Sequence, residues 1–221
     1  MPSDSSKPDD SSKPDKDQRF WDRLAQKYAN DPISDEAAYQ TKLEITRQHF
    51  TEQSDVLEFG CGTGMTAVSH APYVKHIHAT DLSGEMLEIA RGRAVEAGVE
   101  NISFERVGFE DIDAAPGRFD VVLGLSILHL LADRDAAIAR VHTLLKPGGV
   151  FVSSTACLGE KMWFFSLIAP IGRALGLFPM LRVFTAVQLA ESLRQAGFEL
   201  EHQWRPDKAV AVFIVARKPA N

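Results

Sequence analysis

The sequence has few cysteines and no surplus of positive charge. Its two cysteines, Cys61 and Cys157, show neither metal-ligand spacing nor a disulfide framework. A reduced, cytoplasmic setting and no bound metal are therefore expected. The formal net charge is -6 without a large basic block, which argues against a nucleic-acid partner held through its phosphates. The polar N-terminus lacks an apolar signal region, so export by that route is not expected.

The chain also lacks an uninterrupted apolar run that could span a membrane. Its two most apolar stretches, residues 162–168 and 175–184, are short, and prolines, glycines, Arg173 and Arg182 lie within or between them. Hydrophobic residues nevertheless make up 45% of the 221 residues. This share is typical of a globular domain with a full core.

The first residues differ in composition from the rest. Residues 4–9 are repeated at once as residues 10–15, in a polar stretch that contains proline. Such a stretch cannot bury a core. Residues 1–16 are therefore predicted to be a disordered tail, with a docking segment as the alternative, and residues 17–221 a single domain.

Residues 56–64 are the stretch around which this domain is organised. Apolar residues lead directly into Gly60, Gly62 and Gly64. Glycines after an apolar run indicate a buried strand, a tight turn and a helix. Glycine also lets another molecule approach the main chain closely. The pattern predicts a nucleotide-type ligand at this turn.

Strand and helix signals alternate from residue 55 onward. Strands are predicted at residues 56–59, 77–80, 102–107, 119–123 and 150–154. This alternation predicts an α/β fold with a doubly wound, mostly parallel sheet. Two helices in residues 17–50 precede it, and two strands that follow as a hairpin predict an antiparallel pair at residues 198–203 and 210–216.

The ligand of such a sheet binds at the carboxyl ends of its strands. Asp81 follows the second strand about 20 residues beyond the glycine turn, the separation of a ribose-binding acid. A dinucleotide would also satisfy these features, but Met65 stands where its fingerprint requires glycine or alanine. The carboxylate of Glu58 would repel a pyrophosphate and attract a ligand with an ammonium and a sulfonium, by on the order of 4 kcal/mol at about 4 Å. S-adenosylmethionine is therefore the preferred cofactor.

Four segments together resemble the class I S-adenosylmethionine-dependent methyltransferases. They are residues 56–64, 79–87, 119–131 and 144–149, in the order of that family. The resemblance implies a seven-stranded sheet in the order 3-2-1-4-5-7-6 with the last strand antiparallel. It also implies a methyltransferase that acts by in-line methyl transfer.

The resemblance assigns residues to each part of the cofactor. Glu58 and the main chain of the glycine turn would face the methionine part, Asp81 the ribose, and Leu125 with Ser126 would close the pocket. The complete implied set is Glu58, Gly60, Cys61, Gly62, Gly64, Asp81, Leu82, Met86, Gly108, Phe109, Leu125 and Ser126. Leu82 and Met86 would lie beside the adenine. The family often has an acidic residue and then a small one where this chain has Gly108 and Phe109, so Phe109 would pack on the ring instead.

Several of these residues have a structural alternative. Cys61 is expected to act through its backbone, since no basic partner that would make it a nucleophile is nearby in sequence. Asp81 could instead cap the next helix, although Ser83 is better placed for that. Phe109 could belong to the core.

His129 is the candidate general base near the site, because its ordinary pKa lies near neutrality. Its apolar neighbours make a structural histidine the alternative. Tyr28, Tyr39 and Lys42 on the leading helices are expected to cover the site, with plain packing as the alternative.

Residues 157–184 follow the fifth strand, where the family often builds a cap over the acceptor. Trp163 and Phe164 are expected to line a pocket for an apolar acceptor. A homodimer interface or satellite core, and contact with a membrane surface, are the alternatives.

The function predicted from the sequence is methylation of a small, apolar molecule. The chain lacks the Asp/Asn-Pro-Pro-Tyr and Pro-Cys motifs of DNA-base methylation. A non-catalytic protein that binds S-adenosylmethionine or S-adenosylhomocysteine is the alternative, and an NAD-dependent oxidoreductase is a weaker one. The protein is expected to be a monomer or homodimer.

Overall fold

The computed structural model describes residues 16–206 and 209–220, and a seven-stranded sheet forms its centre. The sheet order is β3-β2-β1-β4-β5-β7-β6. The first five strands run parallel, and β7 is antiparallel to both neighbours, β5 and β6. The predicted order is confirmed. The strands are β1 Asp55–Phe59, β2 His76–Asp81, β3 Ile102–Arg106, β4 Phe119–Leu125, β5 Leu145–Ala156, β6 Glu199–Trp204 and β7 Ala211–Arg217.

Seven α-helices lie before and between these strands in the described part of the chain. They are α1 Lys16–Asn30, α2 Glu36–Arg47, α3 Met65–His70, α4 Gly84–Glu96, α5 Arg134–Leu144, α6 Phe165–Ala174 and α7 Ala186–Gln195. Two apolar clusters form the core. One contains Phe59, Phe151 and Leu189, and the other contains Val56 and Ile77. Because both faces of the sheet are covered, all five residues of β1 are buried.

Strand β5 is longer than the pattern indicates. It runs from Leu145 to Ala156, whereas the sequence pattern predicts a strand at residues 150–154. Leu145 pairs with Phe119 below an irregularity in the β4–β5 ladder, and Lys146 Nζ pairs with Asp120 at 2.8 Å. These two contacts hold the segment against β4 in spite of its proline and glycines.

The two leading helices pack onto the sheet domain. Residues 1–15 of the predicted tail lie outside the described residues, and α1 begins at Lys16. α1 contacts α4, and Ser83 donates a hydrogen bond to Asp22 at 2.6 Å. α2 begins after Asp35, whose carboxylate accepts from Ala38 N at 2.9 Å. It ends at Arg47, three residues before the predicted end, in a tighter turn that closes with Phe50 N donating to the Arg47 carbonyl.

The insertion after β5, which was predicted to form a cap, contains the helix α6. Ala169 and Gly172 are the buried residues of this helix, and Gly172 lies against the Phe178 ring of the same insertion. Much of the remaining apolar surface faces outward: Leu167 and Ile171 are more than half exposed. No helix within residues 16–206 or 209–220 has both the length and the apolar character needed to cross a membrane.

Candidate active site

A cavity of about 470 Å³ opens at the carboxyl ends of the parallel strands. Its volume lies within the range of small-molecule sites. Eleven of the twelve residues predicted to bind the cofactor line this cavity. They are Glu58, Gly60, Cys61, Gly62, Asp81, Leu82, Met86, Gly108, Phe109, Leu125 and Ser126. Gly64 is the exception. A Cβ at Gly64 would lie 2.7 Å from Ala90 Cβ, so this glycine permits close packing against α4.

The glycine turn uses the backbone conformation for which glycine is suited. Gly60 has a φ of +64° and Gly62 a φ of +53°. A Cβ at Gly60 would lie 2.7 Å from Ile127 Cγ1, whereas a Cβ at Gly62 would have no heavy atom within 4 Å. Gly60 therefore fits against the protein, and Gly62 presents bare main chain to open space.

Asp81 joins the glycine turn to the turn before α4. Its carboxylate accepts hydrogen bonds from Gly62 N and from Ser83 N, both at 2.9 Å. Burial raises the pKa of Asp81, and these two hydrogen bonds act against that rise. Ser83 caps α4 through Met86 N at 3.2 Å, as expected. Ser83 is therefore the residue that caps α4, and Asp81 stabilises the conformation of the glycine turn.

Glu58 is buried, and no ion pair found within residues 16–206 and 209–220 includes it. Only 3% of the residue is exposed, and its Oε2 has no hydrogen-bond partner among the described residues. Burial, with a smaller contribution from Asp81, raises the pKa of Glu58 to about 8. A buried carboxyl group that lacks a partner is a costly arrangement. A cationic ligand in the cavity would relieve it.

Cys61 and Phe109 each lie between the cavity and the core. Burial raises the pKa of the Cys61 thiol well above its usual value, so the residue is a neutral thiol at physiological pH. The Phe109 ring lies 4.2 Å from the Phe59 ring, and the residue belongs to the core while it also lines the cavity. The two interpretations of Phe109 are therefore compatible.

The remaining candidates lie in three places: the cavity lining, the protein interior and the surface. Tyr28 and Tyr39 line the cavity. His129 does not, and burial lowers its pKa to about 4. Trp163 and Phe164 also lie outside the cavity lining, with 63% and 43% of their surfaces exposed. The structure thus brings the two tyrosines to the site, while roles for the other three residues stay predictions.

The sequence interpretation missed several residues at the far end of the cavity. They are Thr46, His70, Ser154 and Phe213. Lys42, expected only as part of a cover, also lines the cavity and donates a hydrogen bond to Ser154 Oγ at 3.1 Å. The helical spacing of Tyr39, Lys42 and Thr46 was the available signal. Nothing in the sequence pairs that helix face with the end of β5.

Several of the known proteins that this chain resembles are methyltransferases. A family described as "Methyltransferase domain" matches residues 56–149. The chain is 30% identical over 191 residues to the ubiquinone biosynthesis O-methyltransferase of Xanthomonas euvesicatoria, with 83% of this chain and 77% of that protein covered. The enzyme of the same name from Thiobacillus denitrificans is 32% identical over 151 residues, which are 66% of this chain and 65% of that protein.

A solved structure agrees in fold. The N-methyltransferase NodS from Bradyrhizobium japonicum, in complex with S-adenosyl-L-homocysteine, superposes with a TM-score of 0.72 at 18% identity. The match covers 93% of this chain and all of that one. The chain belongs to the class I S-adenosylmethionine-dependent methyltransferases. S-adenosylmethionine is its cofactor, and the cavity fits that molecule, because Glu58 offers a buried carboxyl group to an ammonium and Gly62 offers bare main chain.

Proposed function

We propose that the protein transfers a methyl group from S-adenosylmethionine to a hydroxyl oxygen of a small, apolar molecule. One observation carries the proposal: a single cavity reaches from Asp81 past Glu58 to Ser154. Its lining includes residues after β1 and β2 at one end and residues of α2 and β5 at the other, so a cofactor would lie at the first end and a second molecule at the second. The two relatives matched by sequence are ubiquinone biosynthesis O-methyltransferases, which supports oxygen as the accepting atom.

The cofactor end would bind through main chain and two carboxyl groups. Glu58 would pair with the ammonium of the methionine part, and Gly60, Cys61 and Gly62 would follow it with their backbone. Asp81 would accept from the ribose hydroxyls with the lone pairs left over from its two backbone hydrogen bonds. These contacts would fix the cofactor before the acceptor arrives.

The adenine would lie between apolar side chains at the β2 and β3 ends of the sheet. Leu82 and Met86 follow β2, and Phe109 follows β3 after Gly108. All of them line the cavity. Phe109 is held by its contact with Phe59, so its ring would offer the adenine a rigid apolar surface.

The acceptor would occupy the end between α2 and the strands β4 and β5. Apolar side chains line this end, which supports an apolar acceptor: Leu43, Ile127, Leu130, Leu131 and Phe213. Leu125 and Ser126 lie between the two ends and would separate the bound molecules only partly. Tyr28 and Tyr39 would cover the cavity from α1 and α2.

The mechanism follows from this placement. When bound, S-adenosylmethionine supplies a methyl group on a positively charged sulfur, which is activated without help from the protein. The chain holds the acceptor oxygen in line with that methyl group and excludes water. Positioning of this kind can supply most of the rate enhancement of a two-substrate reaction.

Two experiments test the proposal. Calorimetry with S-adenosylhomocysteine should give binding, while NAD should give none, because a pyrophosphate would face Glu58. Incubation with S-adenosylmethionine carrying a labelled methyl group and a panel of alkyl-substituted phenols and alcohols should then give labelled ethers. Binding without transfer to any hydroxyl compound would favour the non-catalytic alternative, and label on nitrogen or carbon would refute the oxygen acceptor.

A further inference from the structure

The acceptor end of the cavity contains one amine. Glu58 pairs with Leu123 across β1 and β4, and Leu125 pairs with Ser154 across β4 and β5. Neighbouring strands lie about 4.8 Å apart, so Ser154 lies about two strand spacings from the strand that carries Glu58. Lys42 reaches this end from α2 and donates to Ser154 Oγ at 3.1 Å.

Lys42 is presented by a helix that is fixed in place. Tyr39, Lys42, Leu43 and Thr46 follow the spacing of one helix face, and all line the cavity. Leu43 and Thr46 are buried, and the Thr46 hydroxyl donates to the Lys42 carbonyl at 2.7 Å. The direction of the Lys42 side chain is therefore set by a packed helix.

Within the described part of the chain Lys42 has no carboxylate partner, in contrast to two other lysines of the domain. Lys75 pairs with Asp55 at 3.3 Å and Lys146 pairs with Asp120 at 2.8 Å. The ion pairs found in residues 16–206 and 209–220 do not include Lys42, whose recorded hydrogen bond goes to a neutral hydroxyl. A half-buried amine with a neutral partner, beside a cavity, is suited to proton transfer.

We infer that Lys42 is a catalytic residue that binds the hydroxyl oxygen of the acceptor and removes its proton. The inference rests on the proposed transfer to oxygen. Ser154 is the positioning residue, because its hydroxyl accepts from Lys42 Nζ and holds the amine at the end of β5.

The proton transfer balances as follows. The neutral amine of Lys42 forms an N–H bond as the acceptor's O–H bond breaks, which leaves an ammonium and an electron pair on oxygen. That pair forms the bond to the methyl carbon while the carbon–sulfur bond breaks and its electrons stay on sulfur. The products are the methyl ether, S-adenosylhomocysteine and a protonated Lys42, which returns its proton to water.

The charged groups around Lys42 agree with this role. Burial lowers the pKa of Lys42, and Asp35 at the start of α2 opposes that shift to a smaller extent. His70 on α3 lines the same cavity, but burial lowers its pKa to about 3, so it stays neutral near pH 7. Glu58 would be paired with the cofactor's ammonium.

The first test measures the acceptor end without turnover. The probe is 4-nitrophenol, whose phenolate absorbs visible light, added to protein saturated with S-adenosylhomocysteine about one pH unit below the probe's own pKa. Wild-type protein should increase the phenolate band, and Lys42→Met should abolish the increase. Lys27→Met is the matched control, because Lys27 is exposed on α1 and does not line the cavity.

The second test measures the reaction with a hydroxyl compound that wild-type protein methylates. Lys42→Met should lower kcat by about 100-fold or more, the usual contribution of a positioned base. Its affinity for S-adenosylhomocysteine should stay within twofold, which also shows that the variant folds. Lys42→Arg keeps the positive charge but cannot accept a proton, so its kcat should keep rising with pH where the wild-type value is level.

The outcomes separate this inference from the proposed function. A phenolate band that survives in Lys42→Met, or that wild-type protein never gives, overturns the role of Lys42, as does a Lys42→Met kcat within threefold of wild type. If wild-type protein methylates no hydroxyl compound, the proposed function fails, and a band that depends on Lys42 still establishes the amine as the group that ionises a hydroxyl there.

Discussion

The two ends of the cavity differ in the chemical groups that line them and in the distance along the chain between those groups. The cofactor end consists of backbone and buried carboxyl groups from consecutive strand–turn–helix units, as at Gly62 and Asp81. The acceptor end combines side chains from distant parts of the chain. Lys42 and Ser154, which meet there, are 112 residues apart in sequence.

This difference explains how each end can vary. A change at the cofactor end alters the backbone turn that β1 and β2 share, so few substitutions are compatible with binding. A change on α2 alters one side chain on a helix whose buried face stays intact. We therefore expect variants at the cofactor end to weaken cofactor binding strongly, and variants at the acceptor end to change only the affinity for the acceptor and the rate of its methylation.

The largest effect is expected for Gly62→Ala. The new methyl group would project into the space where the cofactor main-chain contacts form, so S-adenosylhomocysteine should bind at least about 100-fold more weakly in calorimetry. Gly117→Ala is the matched control, because Gly117 also has a positive φ, +65°, and no atom within 4 Å of a built Cβ. Both variants should lose about 1 kcal/mol of stability. Equal cofactor affinities in the two variants would refute the placement of the cofactor.

The second effect concerns Glu58→Gln, which should weaken S-adenosylhomocysteine by about 100-fold, as expected for the loss of a buried charge partner. Without ligand, the Glu58→Gln variant should also be more stable than wild type at high pH. Glu58 has a pKa of about 8 in the folded chain and about 4.5 when unfolded, so unfolding releases a proton between these values and wild-type stability falls as pH rises from 4.5 to 8.

Thermal melts without ligand check the second part of that prediction. The melting temperature of Glu58→Gln should exceed that of wild type by several degrees at pH 8.5, and the difference should shrink as the pH approaches 4.5. A difference that does not depend on pH would contradict the raised pKa of Glu58.

A smaller effect is expected at the acceptor end for Tyr39→Phe. The Tyr39 hydroxyl is buried without a partner in the described part of the chain, so its removal should leave the melting temperature unchanged or slightly higher. Cofactor affinity should not change. Because this hydroxyl would contact the acceptor, the KM of the acceptor should rise by about tenfold. Steady-state kinetics with a phenol that wild-type protein methylates measures that change. A loss of cofactor affinity would contradict this placement and would show that Tyr39 contacts the cofactor.

The smallest effect is expected for Trp163→Ala. Its side chain is 63% exposed and outside the cavity lining, so kcat/KM should change by less than twofold and the melting temperature by a few degrees at most. Phe184→Ala, in the same insertion but only 5% exposed, should lose about 3 kcal/mol or more and serves as the contrast. A tenfold fall in kcat/KM for Trp163→Ala would contradict this expectation and support the prediction that Trp163 lines the acceptor pocket.

Most residues that the sequence assigned to the cofactor do line the cavity. Glycines that require a positive φ, and carboxyl groups near the ends of strands, are local signals, so the positions of Gly60, Glu58 and Asp81 could be predicted from their neighbours alone. The sheet order followed from the resemblance of four segments to one family.

The acceptor end could not be predicted to the same extent. The face of α2 was visible as a helical pattern, but no local rule says which strand end it meets. Apolar residues around Trp163 indicated burial against a ligand, yet apolar periodicity does not identify what covers a surface, and α6 places much of that surface outward. Lys42 was assigned to a cover because its partner, Ser154, is distant in sequence.

Proton release on cofactor binding tests the central claim most directly. At pH 7 a carboxyl group with a pKa of about 8 is mostly protonated, and pairing with an ammonium would ionise it. Calorimetric titration of S-adenosylhomocysteine in buffers of different ionisation enthalpy measures the protons released. Wild-type protein should release close to one proton per ligand and Glu58→Gln none. Binding by wild-type protein without proton release would contradict the assignment of Glu58 as the partner of the cofactor's ammonium.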